Sequence, residues 1–281
     1  MVRAAASAQR IFDILDTEPD IRDHPDAWTP QTIEGRIEFR NVDFAYDNGP
    51  PVLNGVNLIA EPGQLIGLVG PSGAGKTTII NLICRFYDPD EGEVSVDGHA
   101  LTGVALNAIR SRIGIVLQDP FLFNGTIREN IAYGKLNAEP GDILEAAVQA
   151  NAHDFICGFS DGYDTFVGER GVRLSGGEKQ RISIARAILS DPRILILDEA
   201  TSSVDTETEV LIQGALDRLM EGRTTFAIAH RLSTVRKADQ LYVIDEGSVA
   251  EHGTHAELLA MGGLYRRLCD LQFAVQDGDA S

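Results

Sequence analysis

Two hydrophobic patterns run through the chain. Residues 36–46 alternate, with Ile37 and Phe39 and then, after one slip, Val42, Phe44 and Tyr46 on one side. That period of two predicts a half-buried strand with a bulge. Residues 65–69, 193–197 and 224–229 are short, largely unbroken apolar runs, as expected of strands covered on both faces of a parallel sheet. Residues 93–96 and 113–117 read as further strands, and 241–245 faces 248–250 across a Glu246-Gly247 hairpin turn. Helical periodicity occupies 76–86, 137–159, 175–190, 206–220 and 254–271, the third ending at Asp191-Pro192. Strands alternating with helices predict an α/β core. The stretch 119–190 is mostly helical and without a convincing strand, so it is expected to be a subdomain inserted into that core.

Residues 1–34 differ. Residues 4–15 predict a short helix with Ile11, Phe12, Ile14 and Leu15 as its apolar stripe, and 16–30 is acidic and carries Pro19, Pro25 and Pro30, a linker composition. The first residues do not form a signal peptide, because 4–8 is too short and too weakly apolar. No apolar run approaches the roughly 18 residues of a membrane span. Cys84, Cys157 and Cys269 lie far apart with no CxxC pair, which predicts free thiols and no zinc site. The 281-residue chain carries 24 basic and 42 acidic residues, a net charge of −18. Long-range repulsion then disfavours nucleic acid and anionic membrane surfaces as partners.

Against that acidic background one anion site stands out. Gly70-Pro71-Ser72-Gly73-Ala74-Gly75-Lys76-Thr77, followed by Thr78, fits GxxxxGK[ST] between a predicted strand and a predicted helix. Glycines let successive N–H groups converge on a phosphate, and the helix start adds partial positive charge. Lys76 is expected to reach the β and γ phosphates of a nucleotide, and Thr77 to ligand Mg²⁺. Farther on, Ile194-Leu195-Ile196-Leu197-Asp198-Glu199 puts two carboxylates at the C-terminal end of an apolar strand, where open α/β sheets bind ligands. Asp198 is the expected Mg²⁺ partner, and Glu199 is placed to polarise an attacking water.

Further features complete a pattern: Tyr46 ahead of the loop, Gln118 after a strand, Leu174-Ser175-Gly176-Gly177-Glu178 opening a helix, Ser203-Val204-Asp205 after the acidic pair, and His230 after the strand at 224–229. In this order, over about residues 35–270, the chain resembles the nucleotide-binding domain of ATP-binding cassette (ABC) transporters, most closely of exporters. The resemblance implies a P-loop NTPase (RecA-like) α/β core with an antiparallel β subdomain and an inserted α-helical subdomain, binding ATP and Mg²⁺. It implies that Tyr46 stacks on adenine, that Gly70–Thr78 hold the phosphates, and that Thr77, Gln118 and Asp198 serve the metal. Glu199 resembles the catalytic glutamate and His230 the switch histidine. Ser175, Gly176 and Gly177 resemble the signature that completes the ATP site of a second subunit, with Asp205 on the loop that crosses between them. The fifth signature residue, often Gln in the family, is Glu178 here; Ser175-x-x-Glu178 is also a capping box, which either side chain serves.

A signature inside the helical subdomain, away from the phosphate loop, implies a head-to-tail homodimer, or a pair with a paralogous domain, closing on two ATP molecules. The membrane partner is expected to be an exporter's transmembrane domain. Phe121-Leu122-Phe123 is a candidate wall for it, Thr126-Ile127-Arg128-Glu129 a capping box opening the next helix, and Glu169-Arg170-Gly171 the exporter-type segment near the coupling surface. Residues 9–16 resemble the linker after a last membrane helix, so 1–34 is expected to follow a missing transmembrane domain, with 35–281 as the nucleotide-binding domain at the cytoplasmic face. Three alternatives compete: a non-transport ABC ATPase, an importer-type ATPase subunit, and a nucleotide-dependent interaction module without catalysis. The absence of coiled-coil insertions and zinc motifs, the exporter-like 169–171 segment, and the intact Lys76, Asp198, Glu199 and His230 disfavour them in turn. The transported substrate is not legible in this chain.

Overall fold

The computed structural model describes residues 10–13, 15–16, 18–47, 49–198, 205–229 and 232–273. Its centre is a six-stranded sheet in the order β10-β9-β3-β8-β7-β6, formed by β3 (Leu65–Val69), β6 (Ile113–Val116), β7 (Ile194–Asp198), β8 (Thr224–Ile228), β9 (Gln240–Asp245) and β10 (Ser248–Gly253). All pairs are parallel except the terminal β9–β10 hairpin. Every residue of β8 and the first four of β7 are buried, which explains their unbroken apolar pattern. Glu246 and Gly247 turn the hairpin at φ 44° and 77°, the double left-handed geometry that matches strand twist.

A second, antiparallel sheet has the order β2-β1-β4-β5, from β1 (Ile37–Ala45), β2 (Pro51–Ala60), β4 (Glu91–Val96) and β5 (His99–Ala100). The expected slip in β1 is real: its pairing with β2 shifts register between Phe39 and Val42. Sequence patterning missed β2, whose core residues Leu53, Val56, Leu58 and Ala60 lose their alternation at Gly55, which turns left-handed.

The helices are α1 (Lys76–Ile83), α2 (Leu106–Arg110), α3 (Ile127–Ala132), α4 (Pro140–Gln149), α5 (His153–Cys157), α6 (Gly176–Ser190), α7 (Thr206–Met220), α8 (Leu232–Lys237), α9 (His255–Met261) and α10 (Leu264–Phe273). Three expectations need correction. The helix expected over 137–159 is two, because the chain leaves helical geometry at Ala150 and Asn151 is left-handed. The helix expected over 254–271 is also two, broken where Gly262 forms a left-handed cap. The helix from Lys76 ends at Ile83, before the expected Phe86, because Arg85 adopts φ 51°. There the Arg85 N–H donates to Leu82 O at 3.0 Å and the Phe86 N–H to Asn81 O at 2.9 Å, a Schellman closure.

Helices α3–α6 form the layer inserted between β6 and β7. Its core joins Ile127, Ile131, Ile143 and Ile156 to Ile182, Ile184 and α7's Ile212 and Leu216. The capping box expected at Thr126 is present, with the Glu129 N–H donating to Thr126 Oγ1 and the Thr126 N–H to Glu129 Oε2. Half-buried Arg186 on α6 ties this layer down, donating to Asn130 O at 2.8 Å, Asn130 Oδ1 at 3.0 Å and Phe121 O at 2.9 Å. No helix among the described residues is long and apolar enough to cross a membrane.

Candidate functional site

Parallel strands deliver their C-terminal ends to one edge of the sheet. Ile228 of β8 pairs with Leu68 of β3 on one side and Asp198 of β7 on the other. The turn after β3 is therefore two strands from Asp198, and Gln118 follows the adjacent strand β6. A cavity of about 430 Å³ opens here, lined by Gly70, Ser72, Gly73, Gly75, Lys76, Thr77, Thr78, Asp198, Val52 and Ile228.

The loop is shaped by contact as well as by torsion. Gly70 sits at φ 151°, and a Cβ there would lie 2.1 Å from the Ile244 carbonyl oxygen. Gly75, at φ 109°, is the N-cap of α1 and gives the helix no side-chain cap, so the first-turn N–H groups face the cavity as an anion-binding end. Lys76 is 8% exposed. Its Nζ donates to Gly70 O at 2.8 Å and to Pro71 O at 2.7 Å. Burial pushes its pKa below the usual lysine value, and the charge of Asp198 partly offsets this. A buried ammonium beside a hydroxyl (Thr77) and a carboxylate (Asp198) makes a cradle for a phosphate and a hard cation.

Tyr46 does not line the cavity, but it is joined to it. Its Oη lies 3.0 Å from Thr78 Oγ1 and accepts from Asn81 Nδ2 at 3.1 Å. The ring meets Phe44 and Tyr87 edge-on at 4.8 and 5.0 Å, which fixes the half-buried ring at the end of β1. Gln118 is exposed just past β6 and is also outside the lining.

Ser175, Gly176, Gly177 and Asp205 stand apart from that lining. Ser175 caps α6: its Oγ accepts from the Glu178 N–H at 3.3 Å, and the Ser175 N–H donates to Glu178 Oε2 at 2.7 Å. Glu178 is thus a capping residue, as its spacing predicts. Ser175 and Gly176 are exposed and Gly177 is buried. Below them Arg181 donates to Gly177 O and Asn151 O and lies 4.5 Å over the Phe155 ring. Asp205 caps α7 through the Thr208 N–H at 2.9 Å, and this hydrogen bond lowers its carboxyl pKa. Glu199, Ser203, Val204 and His230 lie outside the described residues.

Phe121-Leu122-Phe123 divides in two. Leu122 is fully buried, while Phe121 and Phe123 face outward at 47% and 40% exposure, stacked edge-on at 5.2 Å. Arg170 in the 169–171 turn adopts φ 52° and leaves Val172 exposed beside it.

Residues 53–202 match the family model described as ABC transporter. The chain belongs to the ABC transporter family. Within this family the ABC domain is 54% identical over 268 residues to an ATP-dependent lipid A-core flippase of Syntrophus aciditrophicus (strain SB), covering 95% of this chain and 44% of the flippase. It is 48% identical over 273 residues to a beta-(1→2)glucan export ATP-binding/permease protein of Nitrobacter winogradskyi, covering 97% and 45%. Its backbone matches a bacterial Atm1-family ABC exporter solved with ATP bound, with a TM-score of 0.89, 42% identity, and 96% and 47% of the two chains covered. The chain spans about half the length of the curated relatives it matches. Their α/β P-loop fold agrees with the two sheets and inserted helices of this ABC domain.

Two lining residues were not legible beforehand. Val52 belongs to the strand hidden by the Gly55 bulge, and Ile228 carries no mark in the sequence beyond its place in a strand. Asn81, which holds Tyr46, had no motif to mark it; its place one turn after Thr78 on α1 was the available signal.

Proposed function

We propose that this chain is the ATP-binding and ATP-hydrolysing motor domain of an ABC exporter, and that it closes head to tail on a second copy around two Mg-ATP. The observation that carries this reading is Lys76. A lysine at 8% exposure, held by two loop carbonyls at an uncapped helix start, is an expensive arrangement in an empty loop and a stabilising one against phosphate. Gly70–Thr78 hold the phosphates, and Tyr46 serves adenine from the end of β1.

Thr77 and Asp198 fit Mg²⁺ because both offer oxygen at the phosphate end of the cavity, with Gln118 on the neighbouring strand end. No group of three or more His, Cys, Asp or Glu placed to hold a metal ion occurs among the described residues, and Mg²⁺ bound through phosphates, water and one carboxylate requires none. When bound, the ion neutralises charge developing on the transferred phosphoryl group. Glu199 orients and deprotonates water, and His230 contacts the γ-phosphate; both roles rest on the family resemblance.

Ser175, Gly176 and Gly177 cover the ATP of the opposite copy, with Asp205 at the crossing loop. Outward-facing Phe121 and Phe123, with the 169–171 turn, receive the transmembrane domain at the cytoplasmic face, and residues 1–34 are the linker from it. The lipid and glucan named for the relatives show how different the cargo of similar domains is, so no substrate is assigned. The test is Glu199→Gln: ATP affinity is retained and turnover falls about 10²–10⁴-fold. Hydrolysis at the unsubstituted rate contradicts the assignment.

A further inference from the structure

Helix α1 carries the phosphate loop at its N-terminal end, and its other end is built unusually. The left-handed position that closes a Schellman motif is normally glycine, yet here it is Arg85 at φ 51°. A non-glycine residue held in that conformation invites the question of what its side chain does. Arg85 is 3% exposed, and its guanidinium is spent entirely on neighbouring segments. Nη1 donates to Val104 O at 2.8 Å and Nη2 to Thr102 O at 3.1 Å. Nη2 also reaches Arg22 O at 3.3 Å, and Nε donates to Asp88 Oδ1 at 3.0 Å.

The segment that reaches Arg85 has a linker composition but is firmly docked. The Trp28 N–H donates to Gly103 O at 2.8 Å and the Ala105 N–H to Trp28 O at 2.9 Å. The Trp28 ring stacks on His99 at 3.8 Å. Asp23 Oδ1 accepts from the Leu106 N–H at 2.7 Å and lies 4.0 Å from Arg85 Nη1. Arg110 adds a second clasp, donating to Cys84 O and Arg85 O. One helix therefore joins the phosphate loop at its start, Tyr46 through Thr78 and Asn81 in its middle, and residues 22–28 at its end.

We infer that Arg85 is a positioning residue that couples docking of residues 22–28 to nucleotide binding, through α1. The inference rests on the ATP-binding reading above. Linkage makes the coupling reciprocal: ATP must tighten the docked segment by the factor by which docking tightens ATP.

The experiment is amide hydrogen exchange on the full chain with and without Mg-ATP, beside ATP affinity measured for Arg85→Lys and Asp23→Ala. Lysine keeps the charge but lacks the fork that reaches four acceptors. Asp23→Ala loosens the segment while leaving every residue of α1 and Arg85 itself unchanged, and it decides the matter alone if Arg85→Lys does not fold. The expected result is that Mg-ATP slows exchange at Trp28, Ala105 and Leu106 about 5-fold, that both variants abolish this slowing, and that both weaken ATP about 5-fold. ATP protection confined to residues 70–78, or variants that bind ATP like the unsubstituted chain, overturns the coupling. Weaker binding in the variants without ATP-dependent protection at Trp28, Ala105 and Leu106 marks a merely structural role and overturns it too. Failure of ATP to protect residues 70–78 in the unsubstituted chain overturns the functional reading instead.

Discussion

Two helix starts in this molecule, those of α1 and α6, are glycine-rich and serve the same proposed ligand, but they are finished differently. The start of α1 has Gly75 as its N-cap and no side chain satisfying its first turn, and a buried lysine waits beside it. The start of α6 is closed by a reciprocal Ser175–Glu178 capping box and is exposed. The first is chemically incomplete until an anion arrives. The second is complete as a helix, so any work it does must come from a surface brought to it. This difference supports assigning the phosphates to one chain and the covering wall to another.

Paired glycine substitutions test the comparison hardest. Gly70→Ala places a methyl group 2.1 Å from the Ile244 carbonyl at φ 151°; we expect a loss of about 3 kcal/mol in denaturant unfolding and ATP binding weakened about 100-fold. Gly176→Ala meets nothing within 4 Å in the isolated chain. Its stability should change by no more than about 1 kcal/mol and ATP binding by one chain should be unaffected, while turnover falls about 10-fold because the methyl group obstructs the opposing copy. Equal effects of the two substitutions on the isolated chain would erase the distinction.

Ser175→Ala is the next smaller effect. Losing the cap costs about 1 kcal/mol of stability, read as a shift in the urea midpoint. The smallest effect is in pH. Burial holds the Lys76 pKa below 10.5, so between that depressed value and 10.5 the unfolded chain binds more protons than the folded one, and stability rises with pH. Nucleotide-free Lys76→Met should lose this component of the slope when unfolding is followed from about pH 8 to 10.5.

Legibility varied along the chain for physical reasons. Strands β3, β7 and β8 were readable because both faces are buried, and the phosphate loop because its function dictates residue type at fixed spacing. Strand β2 was hidden by one extra residue at Gly55, and the break at Arg85 by a left-handed residue whose type does not announce it, whereas Asn151 is a residue type that favours a left-handed helix end. The hydrogen bonds of Tyr46 to Thr78 and Asn81 cross between elements and leave no periodic trace. Glu178 was read correctly because capping is local chemistry. The linker composition of residues 16–30 concealed a docked segment, since its fastening uses backbone groups and the distant Arg85.

In the proposed function one ATP site needs two chains. That requirement is tested most directly by the ATPase rate per chain as a function of protein concentration, with Ser175→Arg measured in parallel. A site shared by two chains gives a rate that rises with concentration and is abolished by Ser175→Arg while ATP binding persists. A rate independent of concentration and indifferent to Ser175 would place the complete site within one chain and contradict it.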